Sequence, residues 1–201
     1  MLRFGGQTNE WEQLYHKIYE TKEDLQNLVG QYWHQFSGPD TWYFWFNVAS
    51  VIIPLAILYI VIDKQRLFEI CFYGYTAHVL WLNLDSTLSA GNFFVYPHSL
   101  TYLIPTGINI TAVVFPITFM LIYQYCTNNR KNFYLYSIIG TIIFTYGFAS
   151  FCLAVELVKM DKGMNVTYLF LIDTAVVFIS FWFTKLFIWI KEKHLGQKAE
   201  K

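Results

Sequence analysis

The chain is poor in charge, since only 14% of its 201 residues are Asp, Glu, Lys or Arg, against about 25% in a typical soluble domain. Fourteen basic and fourteen acidic residues cancel, so net charge gives no argument for a nucleic-acid partner. Three cysteines without Cys-x-x-Cys spacing predict neither a disulfide framework nor a metal site. The first forty residues lack a basic segment followed by an apolar core, so we expect no cleavable signal peptide.

The familiar catalytic motifs are also missing. The sequence has no His-Glu-x-x-His, no Gly-x-Ser-x-Gly and no glycine-rich phosphate loop. Asp85 and Asp173 lie in apolar segments, as in intramembrane aspartic proteases, but without a supporting glycine context. We therefore predict no catalytic residue, no cofactor and no metal ligand. An intramembrane enzyme that uses Asp85 and Asp173 is the least favoured of the functions considered.

Hydrophobic residues, in contrast, make up 55% of the chain, and aromatic residues 20%. Five apolar runs are long enough to cross a bilayer, which takes about 20 helical residues. Only helices or closed barrels satisfy backbone groups in lipid, and these runs lack the alternating polarity of barrel strands. The sequence predicts an all-α membrane protein with five transmembrane helices, at residues 42–62, 67–90, 103–125, 133–157 and 166–190.

Basic residues are distributed unevenly between the two ends of this predicted bundle. Eight lie at one end and five at the other, and the richer end is expected to face the cytosol. This places the N-terminus outside and the C-terminus inside the cytoplasmic (cell) membrane. Three regions follow: an extracytoplasmic amphipathic helix within 1–40, a membrane domain at 41–191, and a cytosolic basic tail at 192–201.

Residues 11–36 repeat apolar side chains at intervals near 3.6, which predicts an amphipathic helix. Gly38 and Pro39 end it before the first apolar run. Such a helix is typical of segments that lie on a bilayer surface or on top of a bundle. The alternative is a docking face for a protein partner. The lipid bilayer is the principal partner predicted, and the oligomeric state stays open.

A weak internal repeat links the first and third apolar runs. Asn-Val-Ala-Ser-Val-Ile-Ile-Pro, which begins at Asn47, resembles Asn-Ile-Thr-Ala-Val-Val-Phe-Pro, which begins at Asn109. The two runs would cross the membrane in the same direction, so the repeat would be a parallel one. Chance similarity between apolar segments of restricted composition is the alternative explanation.

Polar residues in the predicted spans lie on one face of each helix and mostly toward the outer side. At 1.5 Å of rise per residue, several lie roughly 6–9 Å outside the span centres. A charge near mid-bilayer costs about 2.5–3.5 kcal/mol, so it needs compensation. We predict an outward-facing polar pocket, and a buried polar lock that fixes helix packing is the alternative. The pocket residues are Asn47, His78, Asn83, Asp85, Asn109, Glu156 and Asp173.

This pattern favours a non-enzymatic binding, sensory or assembly component of the membrane. The first alternative is a proton-coupled transporter or permease subunit that uses Asp85, Asp173 and His78. A conducting pore is wet along its whole length, whereas the cytosolic half has almost no comparable polar residue. Binding is therefore preferred to conduction.

Several short strings resemble a family of small, functionally uncharacterised integral membrane proteins from endospore-forming Gram-positive bacteria. They lie at residues 62–69, 96–97, 119–124, 132–136, 162–165 and 168–170, within a region of resemblance at 43–190. The resemblance implies five spans, a bacterial host and a cytoplasmic-membrane location. It assigns no site residue, and it does not include the N-terminal helix.

The predicted orientation can be tested by labelling single cysteines in intact cells with a membrane-impermeant maleimide. A cysteine at Ser99 should react and one at Asn129 should not, since they lie at opposite ends of the predicted bundle. The reverse pattern would refute the orientation.

Overall fold

The computed structural model describes residues 7–104 and 106–199. These residues form six helices and two very short strands. The helices are α1 (Gln7–Phe36), α2 (Trp42–Val61), α3 (Leu67–Ala90), α4 (Ile110–Asn128), α5 (Phe133–Ala154) and α6 (Val166–Ala199). The strands are β1 (Phe94–Val95) and β2 (Lys159–Met160), which follow α3 and α5.

The prediction of an all-helical protein is confirmed. Four helices are long and apolar enough to cross a membrane: α2, α4, α5 and α6. The remaining predicted span, α3, has 24 residues but is not apolar enough to be included with these four. Polar residues along the whole of α3, including Glu69, His78, Asn83 and Asp85, lower its mean hydropathy.

Some predicted boundaries differ from the structure. The sequence predicts the third span from residue 103, but the helix begins only after Gly107, because a glycine two residues after Pro105 opposes helix formation. The predicted tail at 192–201 continues α6 as far as Ala199. Residues 1–6 of the predicted N-terminal region, and 200–201 of the tail, lie outside the described residues.

Three helices end in a residue with left-handed backbone conformation. Asn92, Arg130 and Glu156 have φ values of 56°, 53° and 60°. In each case the next residue donates its N–H to a carbonyl five residues earlier, as Leu157 does to Cys152 at 2.9 Å. This Schellman arrangement stops a helix and satisfies its last carbonyls. Glu156, a predicted pocket residue, therefore serves as the terminating residue of α5.

The bundle core lies between α3, α4, α5 and α6, with α3 packed against α4 and α6. Its inner half, defined here as the end that carries the α2–α3 and α4–α5 connections, is filled by aromatic rings. Tyr73 stacks on Tyr123 with a centroid distance of 4.6 Å, and Phe133 stacks on Phe181 at 4.2 Å. All four side chains lie within or against the buried core.

Helix α2 lies at the edge of the bundle and has a single buried residue, Asn47. Its inner end is held by the side chain of Gln124 in α4. The Gln124 Nε2 donates to the Val61 carbonyl at 2.9 Å, and its Oε1 accepts from the Asp63 amide at 2.8 Å. Polar contacts thus attach a helix that buries little side-chain surface.

At the outer end, β1 pairs with β2 in antiparallel register, Phe94 opposite Met160. This ribbon joins the connection after α3 to the connection after α5. Helix α1 lies over the same region: the Trp33 indole donates to the Ser99 carbonyl at 3.0 Å, and Gln26 Nε2 to the Tyr102 carbonyl at 3.3 Å. The outer connections and α1 therefore form one assembled cap.

Ser99 is buried in this cap, so a cysteine there would be shielded from the maleimide that tests the orientation. Asp161, which is exposed in the connection after β2, is therefore the better position for the outer cysteine. Cys71, the exposed native cysteine, is replaced by serine in both labelling variants.

Helices α3 and α4 approach closely at Gly74, and replacing it by alanine should destabilise the bundle. An added Cβ would lie 2.2 Å from the Met120 sulfur, so this side chain must move. We expect the free energy of unfolding in detergent to fall by about 1–3 kcal/mol. The control is Gly147→Ala in α5, where a Cβ meets nothing within 4 Å and a small gain is expected. Equal losses in the two variants would contradict the close contact.

Candidate functional site

Two predicted pocket residues, Asn47 and Asn109, bind each other directly. The Asn109 Nδ2 donates to the Asn47 Oδ1 at 2.9 Å and to the Ser50 hydroxyl at 2.7 Å. The Asn47 Nδ2 donates to the His98 carbonyl at 2.8 Å. Both asparagines are almost fully buried. This amide clasp joins α2 to α4 and to the outer cap, and it uses the equivalent positions of the weak repeat.

Within the outer cap, His98 joins the connection after β1 to the end of α1 and to α2. Its Nδ1 lies 2.9 Å from the Ser37 hydroxyl, just after α1 ends. Its ring stacks on Tyr43 with centroids 3.5 Å apart and an interplanar angle of 11°. Burial lowers the pKa of His98 below its ordinary value, and the charge of Glu156 opposes this in part. A neutral imidazole therefore suits this position.

Asp85 is fully buried in α3, and its Oδ1 accepts a hydrogen bond from the Tyr96 hydroxyl. Burial, reinforced by the charge of Asp85, raises the pKa of Tyr96 well above its ordinary value, so the phenol stays a donor. Gly107 allows the tyrosine ring to fit, since a Cβ there would lie 2.5 Å from Cε1 of Tyr96. Within residues 7–104 and 106–199, no donor lies within hydrogen-bond distance of the Asp85 Oδ2 in good geometry.

Asp173 in α6 pairs with a different element. Its Oδ2 accepts from the Thr145 hydroxyl at 2.8 Å, and its Oδ1 has no hydrogen-bond partner among the described residues. Thr145 lies in a π-helical stretch of α5, Ile143–Ala149. One turn earlier, Thr141 donates to the carbonyl of Ser137 in its own helix. Thr145, in the π-helical stretch, thus donates its hydroxyl to a neighbouring helix, whereas Thr141 donates to its own helix.

The structure does not bring the other three predicted pocket residues into these contacts. Asn83 is exposed and donates to the Val79 carbonyl of its own helix. Glu156 is exposed and lies 3.2 Å from the Lys159 ammonium. The Nδ1 of His78 lies 3.5 Å from the Thr111 carbonyl, a contact at the limit of a hydrogen bond. These three residues therefore lie outside the hydrogen bonds that Asn47, Asn109, Asp85 and Asp173 make.

The open space lies elsewhere at the outer end. A cavity of about 40 Å³ beside Tyr96 is mainly apolar. A groove of about 750 Å³ separates α1 from β1 and the segment that follows it. We call this the outer groove. It is lined by Leu25, Leu28, Val29, Tyr32, Trp33, Ser89, Asn92, Phe94, Val95, Tyr96, Pro97, Ser99 and Lys159.

Tyr96 lines both the cavity and the outer groove, and the sequence did not identify it as a site residue. His98 and Thr145 were missed in the same way. Tyr96 and His98 lie in an irregular connection, where no periodicity indicates which way a side chain points. Thr145 lies on the predicted polar stripe of α5, but nothing in the sequence indicates its pairing with Asp173.

No family model, curated protein or solved structure matches this chain. The family resemblance drawn from short strings therefore stays a prediction. Within residues 7–104 and 106–199, no group of three or more His, Cys, Asp or Glu side chains is placed to hold a metal ion.

Replacing Tyr96 by phenylalanine should destabilise the outer cap. The change leaves the buried Asp85 carboxyl without its donor, and an unsatisfied buried polar group costs about 1–3 kcal/mol. The measurement is the free energy of unfolding in detergent. Tyr146→Phe is the control, because that hydroxyl lies at an exposed contact 3.4 Å from Thr167. A loss in the Tyr96 variant no larger than the control's would show that the bond to Asp85 contributes nothing.

The stability of the fold should also decrease when the pH is lowered, because of His98. The unfolded chain protonates this imidazole near its ordinary pKa of 6.5, above the pKa in the fold. Since the unfolded state then binds more protons, acidification through this range favours unfolding. We expect thermal stability to drop between about pH 7.5 and about pH 5.5. The drop should shrink in His98→Asn and persist in His34→Asn, where the histidine is exposed. Identical pH profiles for the two variants would exclude His98 as the cause.

Proposed function

We propose that the chain is a five-span protein of the cytoplasmic membrane with α1 on the external face. The position of the outer cap supports a crossing by α3. The segment after α3 reaches His98, whose carbonyl contacts Asn47 near the start of α2. The chain must therefore return across the thickness that α2 spans. At 24 residues, α3 is about 36 Å long, enough for this path.

The proposed orientation places the cap outside and the opposite end in the cytosol. The inner connections carry Lys64, Arg66, Arg130 and Lys131, and basic residues favour the cytosolic side. In this arrangement, the exposed apolar side chains of α1, including Trp11, Leu14 and Ile18, suit the outer surface of the bilayer.

The proposed activity is non-enzymatic binding, and the outer groove is the binding site. A volume of about 750 Å³ lies in the range typical of small-molecule sites. Leu25, Leu28 and Val29 of α1 form one apolar wall, and Val95 and Pro97 form the other. This combination of size and apolar lining is the observation on which the proposal depends.

The ligand that fits best is an amphiphile with an apolar chain and an anionic head. Lys159 is the only ionisable side chain other than tyrosine in the described lining. Its ammonium lies 3.2 Å from Glu156, but both side chains are more than half exposed, so this pair is weak and exchangeable. An incoming carboxylate can compete for Lys159 while its chain lies against the apolar walls.

The tight packing on the inner side of the outer groove favours binding over proton-coupled transport. The cavity beside Tyr96 measures only about 40 Å³. Further inward, the rings of Tyr73, Tyr123 and Phe133 fill the bundle. A polar route that reached the inner end would have to pass through this aromatic packing.

The test uses 11-(dansylamino)undecanoate, a fluorescent anionic amphiphile, and the full chain in phosphatidylcholine nanodiscs. We expect saturable dansyl emission with energy transfer from Trp33, which lines the groove. Val29→Trp should fill the groove and weaken binding at least about tenfold. Lys159→Gln should weaken it about fivefold, the effect of one interfacial charge.

Leu14→Trp is the matched control, because it enlarges an exposed residue of the same helix that does not line the groove. Its affinity should stay close to that of the unmodified chain. Equal affinity in Val29→Trp and the unmodified chain would reject the outer groove as the site.

A further inference from the structure

The inner end of the bundle contains a second open space that the proposed function does not use. It measures about 550 Å³ and lies where the α4–α5 connection faces α6 and the residue before α3. We call it the inner pocket. It is lined by Arg66, Cys126, Thr127, Arg130, Lys131, Asn132, Phe133, Tyr134, Phe181 and Lys185.

Four of these lining residues are basic and none is acidic. Arg66 is already engaged: its guanidinium binds the Glu69 carboxylate, the Thr127 hydroxyl at 2.8 Å and Asn128. Glu69 also accepts from the Tyr123 hydroxyl. The Glu69 carboxylate is therefore engaged by an arginine and a tyrosine.

The other three cations, Arg130, Lys131 and Lys185, make no salt bridge within the described part of the chain. Lys185 instead lies over the Phe181 ring, with its ammonium 5.5 Å from the centroid. Like charges around one space repel each other unless an anion joins them. The inner pocket thus has an excess of positive charge.

The N-terminus of α5 adds partial positive charge to the inner pocket. Asn132 caps the helix by accepting from the Leu135 amide at 3.3 Å. Phe133 and Tyr134, the first residues of α5, both line the inner pocket. Amide groups in the first turn of a helix have no partner within the helix and carry partial positive charge. They supplement the basic side chains.

The depth of the pocket matches the level of lipid headgroups. Lys185 follows the first residue of α6, Val166, by nineteen positions, about 28 Å of helix. Trp182 and Trp189 flank it on the exposed surface of α6, and such aromatic residues mark the membrane–water interface. The pocket would therefore open where phosphate groups of a bilayer are found.

We propose that the inner pocket binds a phosphate group, either the headgroup of an anionic phospholipid or free inorganic phosphate. Basic pockets between helices at the cytoplasmic interface are suited to anionic headgroups. Lys131 and Lys185 bind the phosphate oxygens, Arg130 adds charge at the rim, and Arg66 is held in place by Glu69. This proposal is independent of the outer groove.

The test compares Lys131→Gln/Lys185→Gln with a control of equal charge, Lys64→Gln/Lys191→Gln. Both control lysines are exposed near the same end and do not line the pocket. The full chain in dodecyl maltoside is titrated with phosphatidylglycerol and with phosphatidylcholine, and native mass spectrometry measures the bound lipid. Inorganic phosphate is then added as a competitor and followed by phosphorus NMR.

We expect saturable phosphatidylglycerol binding that weakens about thirtyfold in the pocket variant, the effect of two interfacial charges, and little in the control. Preference for phosphatidylglycerol without competition by phosphate identifies the lipid headgroup as the ligand. Phosphate binding that is lost in the pocket variant identifies the free anion. Equal affinities in the two double variants, or no binding of either probe, would overturn the proposal.

Discussion

The fold depends on hydrogen bonds between polar side chains and neighbouring segments, which attach its apolar helices to one another. Lipid tails are as apolar as leucine, so burial of apolar surface does not by itself hold membrane helices together. Helix α2 shows the consequence, because Asn47 is its single buried residue. It is attached near one end by the Asn47–Asn109 bond and at the other by Gln124. Between these points, lipid can cover the exposed side chains of α2.

The same contacts organise the outer cap. The amide of Asn47 fixes the His98 carbonyl, while the His98 ring meets Ser37 after α1 and Tyr43 in α2. Two residues earlier, Tyr96 is held by Asp85. One short segment is thus anchored to three helices, and its outer side forms a wall of the outer groove. One wall of the outer groove is therefore attached to buried residues.

The sequence predicted the helices well where composition and end signals agree. Trp42, Leu67, Phe133 and Val166 begin helices as expected, since an apolar run and a polar connection meet at each. The start of α4 was placed too early, because residues 103–104 are apolar although Gly107 precedes the helix. The polar pattern correctly indicated that Asp85 and Asp173 turn inward, whereas Asn83 and Glu156, assigned to the same pocket, are exposed. Pairing could not be predicted, because the partners Tyr96 and His98 lie in a connection without periodicity.

Buried polar residues can either recognise a ligand or hold helices together, and the hydrogen bonds distinguish the two roles. Asn47 donates one hydrogen bond to the His98 carbonyl and accepts one from Asn109, so its amide joins two other segments of the chain. One oxygen of Asp85 and one of Asp173 lack partners in the part of the chain that the structure describes, but both residues are fully buried. A ligand that approached from the outer end would contact the outer cap before it reached either carboxylate. The buried residues therefore suit the role of a lock, and the outer groove that they support is the site at which we propose that recognition takes place.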